Sequence, residues 1–183
     1  TYSQLPRERF QHQYFDDTNL IKNMVFDLDV PTIGVMPGPG FHWDSAFLSD
    51  VTIVTEDTKI EVPHAQGGLV PGDGMGLMMQ HYLGTKKGNY YMMTSRQLTA
   101  QQMLDAGMVS EVTPKGKALE RAWEIARMWK RMSYENRCIM SYLAKRPLKK
   151  LLLEDLKLHT VSEQYASLLR VAAGELGDAN SSQ

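Results

Sequence analysis

The chain has 183 residues, a formal net charge of −1, a pI near 6.5 and 43% hydrophobic residues. That length suits one domain with a substantial core, in which folding hides roughly 70% of the chain's surface, and the balanced charge gives no reason to expect nucleic acid or an anionic membrane as a partner. No apolar run reaches the length of a membrane span, the first residues lack a signal-peptide pattern, and the single Cys138 excludes an internal disulfide, which together lead to the expectation of a cytoplasmic protein.

In chain order, Phe10, Tyr14, Ile21, Met24, Val25 and Leu28 predict an amphipathic helix over 8–28 that stops before Pro31. The run T-I-G-V-M at 32–36 reads as a buried strand, and Pro37, Gly38, Pro39 and Gly40 turn the chain. His42, Trp43 and Asp44 follow at once and open a short helical stretch through Ala46, Phe47 and Leu48. The start of such a stretch offers free backbone N–H groups to an anion or a developing oxyanion. Two β-branched runs, Val51 to Val54 and Lys59 to Val62, predict strands.

They deliver the chain to P-H-A-Q-G-G-L-V-P-G-D-G-M-G, residues 63–76, a glycine-bent loop whose only ionisable side chains are His64 and Asp73. Folded back on itself, the loop can bring the two within hydrogen-bond reach, and a carboxylate beside an imidazole orients it as a general base. The same residues also suit a structural turn with a solvated histidine.

Beyond Gly76, L-M-M-Q-H-Y-L predicts a helix ended at Gly84, and a second runs from Thr85 through Met93; Met78, Met79, Met92 and Met93 read as core filler. Thr99 and Gln102 have the spacing of a capping box, Gly107 suits the helix exit, and Met108 to Val112 predicts a last strand. From Gly116 onward the pattern is helical, with Leu119, Trp123, Ile125, Ala126, Trp129 and Met132 on one side and Leu148, Leu151, Leu152, Leu156, Leu158 and Val161 later. Pro147 is expected to separate two helices, the basic K-R-P-L-K-K around it to be a solvated helix end, and the polar tail from Gly177 to fray. With no internal repeat, the chain reads as α/β coils over 1–115, carrying the candidate loops, and a helical region over 116–183.

Three segments in this order, I-G-V-M-P-G-P-G-F-H-W-D-S-A-F-L-S-D-V-T-I-V-T-E-D-T, G-L-V-P-G-D-G and L-T-A-Q-Q-M-L-D-A-G-M-V-S-E-V, resemble the crotonase (enoyl-CoA hydratase/isomerase) superfamily. The resemblance runs from about residue 8 to the last helix. It implies an α/β spiral of ββα turns with a C-terminal helical trimerisation region, and a homotrimer or a dimer of trimers. Family hydratases use two glutamates as acid and base; here Asp44 stands at the first position and His64 at the second.

His64, Asp73 directly after Pro71-Gly72, and His42 in the former glycine turn together resemble β-diketone hydrolases of the 6-oxocamphor hydrolase type. These cleave the carbon–carbon bond between two carbonyls by a retro-Claisen reaction without coenzyme A. The resemblance implies His64 and Asp73 as the base pair, His42 as a donor to a carbonyl or enolate, and Glu163, in V-S-E-Q, as a further catalytic group. It implies Phe41, Trp43 and Asp44 as substrate or oxyanion contacts, a small diketone as the partner molecule, and no cofactor. His12, His81 and His159 read as structural, and no HxH or HExxH spacing suggests a metal. The family pattern also implies an N-terminal region ahead of the 8–28 helix, supplying the first strands and one oxyanion donor, so a missing N-terminal part of the same protein is expected. Two other functions stay open: a coenzyme A-dependent hydratase or isomerase using Asp44 and Asp73, and a non-catalytic trimeric module.

Overall fold

The computed structural model describes residue 15, residues 18–40 and residues 42–175. Helix α1 covers 18–27, an α-helical start followed by a π-helical turn at Asn23–Asp27. Then come β1 (Ile33–Met36), α2 (Asp44–Phe47), β2 (Val51–Thr55), β3 (Lys59–Ile60), a 3₁₀ turn at Pro63–Ala65, α3 (Met75–Leu83) and α4 (Thr85–Thr94). The chain continues through β4 (Leu98–Thr99), α5 (Ala100–Asp105), β5 (Glu111–Thr113), α6 (Ala118–Trp129) and α7 (Tyr134–Ala172).

Strands β1, β2 and β5 form a parallel sheet in that order, with Ile33 opposite Val51 and Ile53 opposite Glu111. Strands β3 and β4 pair antiparallel, Lys59 opposite Thr99. The predicted strands therefore form, although the 59–62 run is paired only at Lys59–Ile60 and the last strand is Glu111–Thr113, with residues 108–110 of the expected 108–112 run in a bend. Its two-residue partner β4 lies in a segment too short for any periodicity to show.

The β1–α2–β2 unit sets the position of the site. A Cβ at Gly34 would lie 2.2 Å from the Ala46 carbonyl oxygen, so α2 rests directly on β1 and only glycine fits beneath it. Trp43 Nε1 donates to the Glu61 carbonyl at 2.8 Å, and the Tyr82 hydroxyl donates to the Phe47 carbonyl at 2.8 Å. These bonds fix both ends of α2 over the apolar core, where Phe47, Met78 and Met79 meet Ile21 and Val25 of α1 and Leu148, Leu152 and Leu156 of α7. The predicted capping box is present: Gln102 N–H donates to Thr99 Oγ1 and Thr99 N–H to Gln102 Oε1.

Four expectations are corrected. Pro147 does not divide the C-terminal helices, because α7 runs unbroken for 39 residues with Pro147 inside it. The missing N–H costs one rung, and the buried Lys145 and Leu148 on either side hold the helix in place. Lys145 is 3% exposed rather than a solvated helix end; its Nζ sits 3.4 Å from Asp50 Oδ2 and donates to the Leu28 carbonyl. On α6 the small residues Ala118 and Ala122 pack against Ile53, while Leu119 and Trp123 face outward. Close docking of a helix on a sheet favours alanine, so the larger side chains border the contact instead of filling it. Met93 is likewise exposed, whereas Met78 and Met79 are core. The predicted part of the first helix with Phe10 and Tyr14 lies outside the described residues.

Candidate active site

The His64 loop is pressed onto the C-terminal half of α7. A Cβ at Gly72 would lie 2.1 Å from the His159 carbonyl oxygen and 2.5 Å from Glu163 Cβ, so glycine is required for the approach. Gly72 N–H donates to Glu163 Oε2 at 3.0 Å, the Thr160 hydroxyl donates to the Gly72 carbonyl at 3.3 Å, and Arg170 donates to the Gly67 carbonyl. One helix thereby holds the loop at both ends of its glycine stretch.

This clamp gathers three titratable side chains. His64 Nε2 lies 3.5 Å from Asp73 Oδ2 and 3.7 Å from Glu163 Oε1, with all three side chains largely enclosed. Asp73 Oδ1 accepts from Met75 N–H at 3.0 Å, which fixes that carboxylate at the entrance to α3. His64 Nδ1 is buried and has no hydrogen-bond partner among the described residues. Imidazole–carboxylate distances of this length are near hydrogen-bond reach and can tighten when a ligand expels water.

His64, Asp73, Glu163, Asp44 and His42 line one cavity of about 390 Å³, together with apolar groups such as Ile21 and Met75. Asp44 is 8% exposed and its Oδ1 has no hydrogen-bond partner among the described residues. Burial first, and then the neighbouring Asp73 carboxylate, raise the Asp44 carboxyl above its ordinary value, against a smaller opposing pull from a backbone hydrogen bond and His42. His42 stands at the rim, mostly solvated, 4.0 Å from Asp44 Oδ1, with a left-handed φ of 56° that a non-glycine residue adopts only under local constraint.

Trp43 is placed differently from the expectation of a substrate contact: its side chain is core, packed edge-on to Phe47 at 5.1 Å, and it supports the wall from behind. Phe41 lies outside the described residues, as does His12. His159 meets the loop through its backbone, and His81 stacks edge-on with Tyr82, its imidazole held below the ordinary value by burial. The loop anchors Thr160 and Arg170 were not anticipated; the Thr160–Glu163 spacing, one helical turn, was the available signal.

The family model for enoyl-CoA hydratase/isomerase matches residues 5–165. The chain belongs to this family. Its fold is crotonase-like, and among solved structures it is similar to a β-diketone hydrolase from the cyanobacterium Anabaena sp. PCC 7120 bound to (S)-3-oxocyclohexyl acetic acid. That similarity has 30% identity and a TM-score of 0.83, covering 93% of this chain and 68% of the other. An enoyl-CoA hydratase from Mycobacterium paratuberculosis, at 22% identity and a TM-score of 0.71 over 78% of this chain and 65% of that one, shares the fold. In sequence, the crotonase-family chain is 31% identical over 104 residues to a carnitinyl-CoA dehydratase of Salmonella typhimurium, over 56% of this chain and 40% of that protein. The match thus spans less than half of that relative's length. No helix among the described residues is long and apolar enough to cross a membrane.

Proposed function

We propose that this crotonase-family enzyme hydrolyses a carbon–carbon bond of a β-diketone by a retro-Claisen reaction. The observation that carries the reading is the histidine, His64, held by Asp73 and Glu163 where it faces a cavity also walled by a buried carboxyl, Asp44. The 30% identity with a β-diketone hydrolase supports it. So does that protein's ligand, a molecule bearing both a ketone and a carboxylic acid, the pair of groups left when water splits a cyclic diketone.

In this mechanism the His64 imidazole takes a proton from water, the resulting hydroxide adds to one carbonyl carbon, and Asp73 and Glu163 stabilise the imidazolium. The tetrahedral adduct then expels the neighbouring carbon, breaking the carbon–carbon bond and sending its electron pair into the second carbonyl as an enolate. Asp44, whose burial favours the protonated form, donates a hydrogen bond to that carbonyl, and His42 caps it from the rim. The His64 imidazolium returns its proton to the enolate carbon, which completes a ketone and a carboxylic acid from one diketone and one water.

Purified protein mixed with a cyclic 1,3-diketone should bleach the diketone's ultraviolet band and yield the keto acid by mass spectrometry. An unchanged rate in His64→Ala rejects the mechanism. A second reading, a coenzyme A-dependent hydratase or isomerase working through Asp44 and Asp73, is favoured by the similarity to carnitinyl-CoA dehydratase; calorimetric binding of a short acyl-CoA would support it over the first. Assembly as a homotrimer is part of the proposal, supported by large apolar side chains exposed along α7, among them Leu143, Leu153, Leu158 and Tyr165.

A further inference from the structure

One nitrogen and two carboxylate oxygens, from His64, Asp73 and Glu163, lie within 4.8 Å of one another. The separations of 3.5 Å from Nε2 to Asp73 and 3.7 Å from Nε2 to Glu163 are close to the roughly 3.4 Å expected between two ligand atoms that each stand about 2.0–2.1 Å from a tetrahedral Zn²⁺. The second oxygen of each carboxylate is already tied to a backbone N–H, Met75 for Asp73 and Gly72 for Glu163. Outer hydrogen bonds of this kind aim the remaining oxygen of a ligand and hold it single-toothed.

Charge and access agree with the geometry. Two acids and an imidazole form a site that attracts a dication, and the cavity leaves room for a fourth ligand such as water. A nitrogen donor beside two oxygens suits zinc-class ions, whereas Ca²⁺ and Mg²⁺ prefer all-oxygen shells with more ligands. No spacing in the sequence marks the cluster, because two members lie on one loop and Glu163 stands 91 positions beyond Gly72.

We infer that His64, Asp73 and Glu163 form a three-ligand site for a divalent transition-metal ion of the zinc class, and that filling it silences the hydrolytic base. The second half rests on the hydrolase reading; the first stands on the geometry alone. A metal ion on Nε2 takes that atom's lone pair and leaves the ring proton on Nδ1, so the imidazole has no lone pair left to accept a proton from water. Three dative bonds form and no electron is transferred.

Isothermal titration of metal-stripped protein with ZnCl₂, and in parallel with CaCl₂, tests the site. The expected result is one Zn²⁺ per chain, with affinity about tenfold or more weaker in Glu163→Gln and in His64→Ala, and no comparable Ca²⁺ binding. Thermal melts followed by circular dichroism establish that each variant is folded, and Asp73→Asn, nearly isosteric, repeats the measurement should either fail. Unchanged Zn²⁺ affinity in the folded variants, or Ca²⁺ bound as tightly as Zn²⁺, overturns the site. Diketone turnover is then read separately: Zn²⁺ should suppress it and EDTA restore it, while stimulation by Zn²⁺ overturns the silencing. A protein that binds Zn²⁺ through these three residues yet turns over no diketone removes the hydrolase reading, and the silencing with it, and leaves the metal site standing.

Discussion

Helix α7 carries two buried polar clusters built to opposite specifications. Towards its N-terminal half, Asp50 Oδ2 accepts from Thr32 N–H at 2.8 Å, from the Thr32 hydroxyl at 3.0 Å and from the Ser141 hydroxyl at 3.1 Å, with Lys145 Nζ at 3.4 Å. Five turns later, Glu163 meets His64 and Asp73 at longer distances, beside an imidazole nitrogen with no partner and against an open cavity. The first cluster gathers its contacts on one oxygen, Asp50 Oδ2, and joins the α1–β1 and α2–β2 connections to α7, although Asp50 Oδ1 has no hydrogen-bond partner among the described residues. The second lines a cavity of about 390 Å³ that a water or substrate can enter. Close packing on one oxygen against the lining of a cavity, more than burial or charge, separates the structural cluster from the candidate catalytic one.

Substitution should separate the two. His64→Ala is expected to lower diketone turnover about 10³-fold, the scale of a lost general base, while shifting the melting temperature little; a large loss of stability with activity per folded molecule preserved would place His64 with the structural cluster. Lys145→Ala leaves Asp50 buried without its cation and should cost about 3 kcal/mol in urea denaturation, with kinetic constants of the remaining folded protein unchanged. Gly72→Ala drives a methyl group into the His159 carbonyl and Glu163, so about 2 kcal/mol of overpacking strain should appear together with a fall in turnover, because the same contact holds the loop.

The smallest effect concerns Asp44. Its carboxyl is raised in the folded protein, so the unfolded chain ionises first as the pH climbs past the ordinary value near 3.8, and stability falls from there through the raised value. Asp44→Asn removes that loss. Its melting temperature should exceed that of the parent at pH 7, with the gap closing towards pH 4, and a constant gap across that range would mean that Asp44 is not destabilised by ionisation. Turnover should fall in the same variant, since an amide N–H is a weaker hydrogen-bond donor to the forming enolate than a carboxylic acid.

Much of the fold was legible because its signals are local. The glycines around His64 and Asp73, the β-branched runs feeding the sheet, and the Thr99–Gln102 box each state a backbone preference within a few residues. The unbroken course of α7 was not legible, since Pro147 is a helix breaker in isolation and only the packing of Lys145 and Leu148 outweighs it. Nor was the inward face of α6, because hydrophobic periodicity favours Leu119 and Trp123 while close contact with Ile53 favours Ala118 and Ala122. At the site, His64 and Asp73 share one loop and could be paired by inspection. Glu163 reached the cluster on the strength of family resemblance, and its backbone anchoring by Gly72 N–H belongs wholly to tertiary structure.

The continuity of α7 makes its length as consequential as its composition. Lys145 and Glu163 stand 18 positions apart, about five whole turns and roughly 27 Å, so they share one side of a single rod. A residue inserted between them would rotate everything downstream by about 100°, swinging Glu163, Thr160 and Arg170 off the glycine loop while leaving Lys145 seated on Asp50. The phase of this helix between those two points is therefore fixed, as the pitch of a screw is fixed by the two threads it must engage.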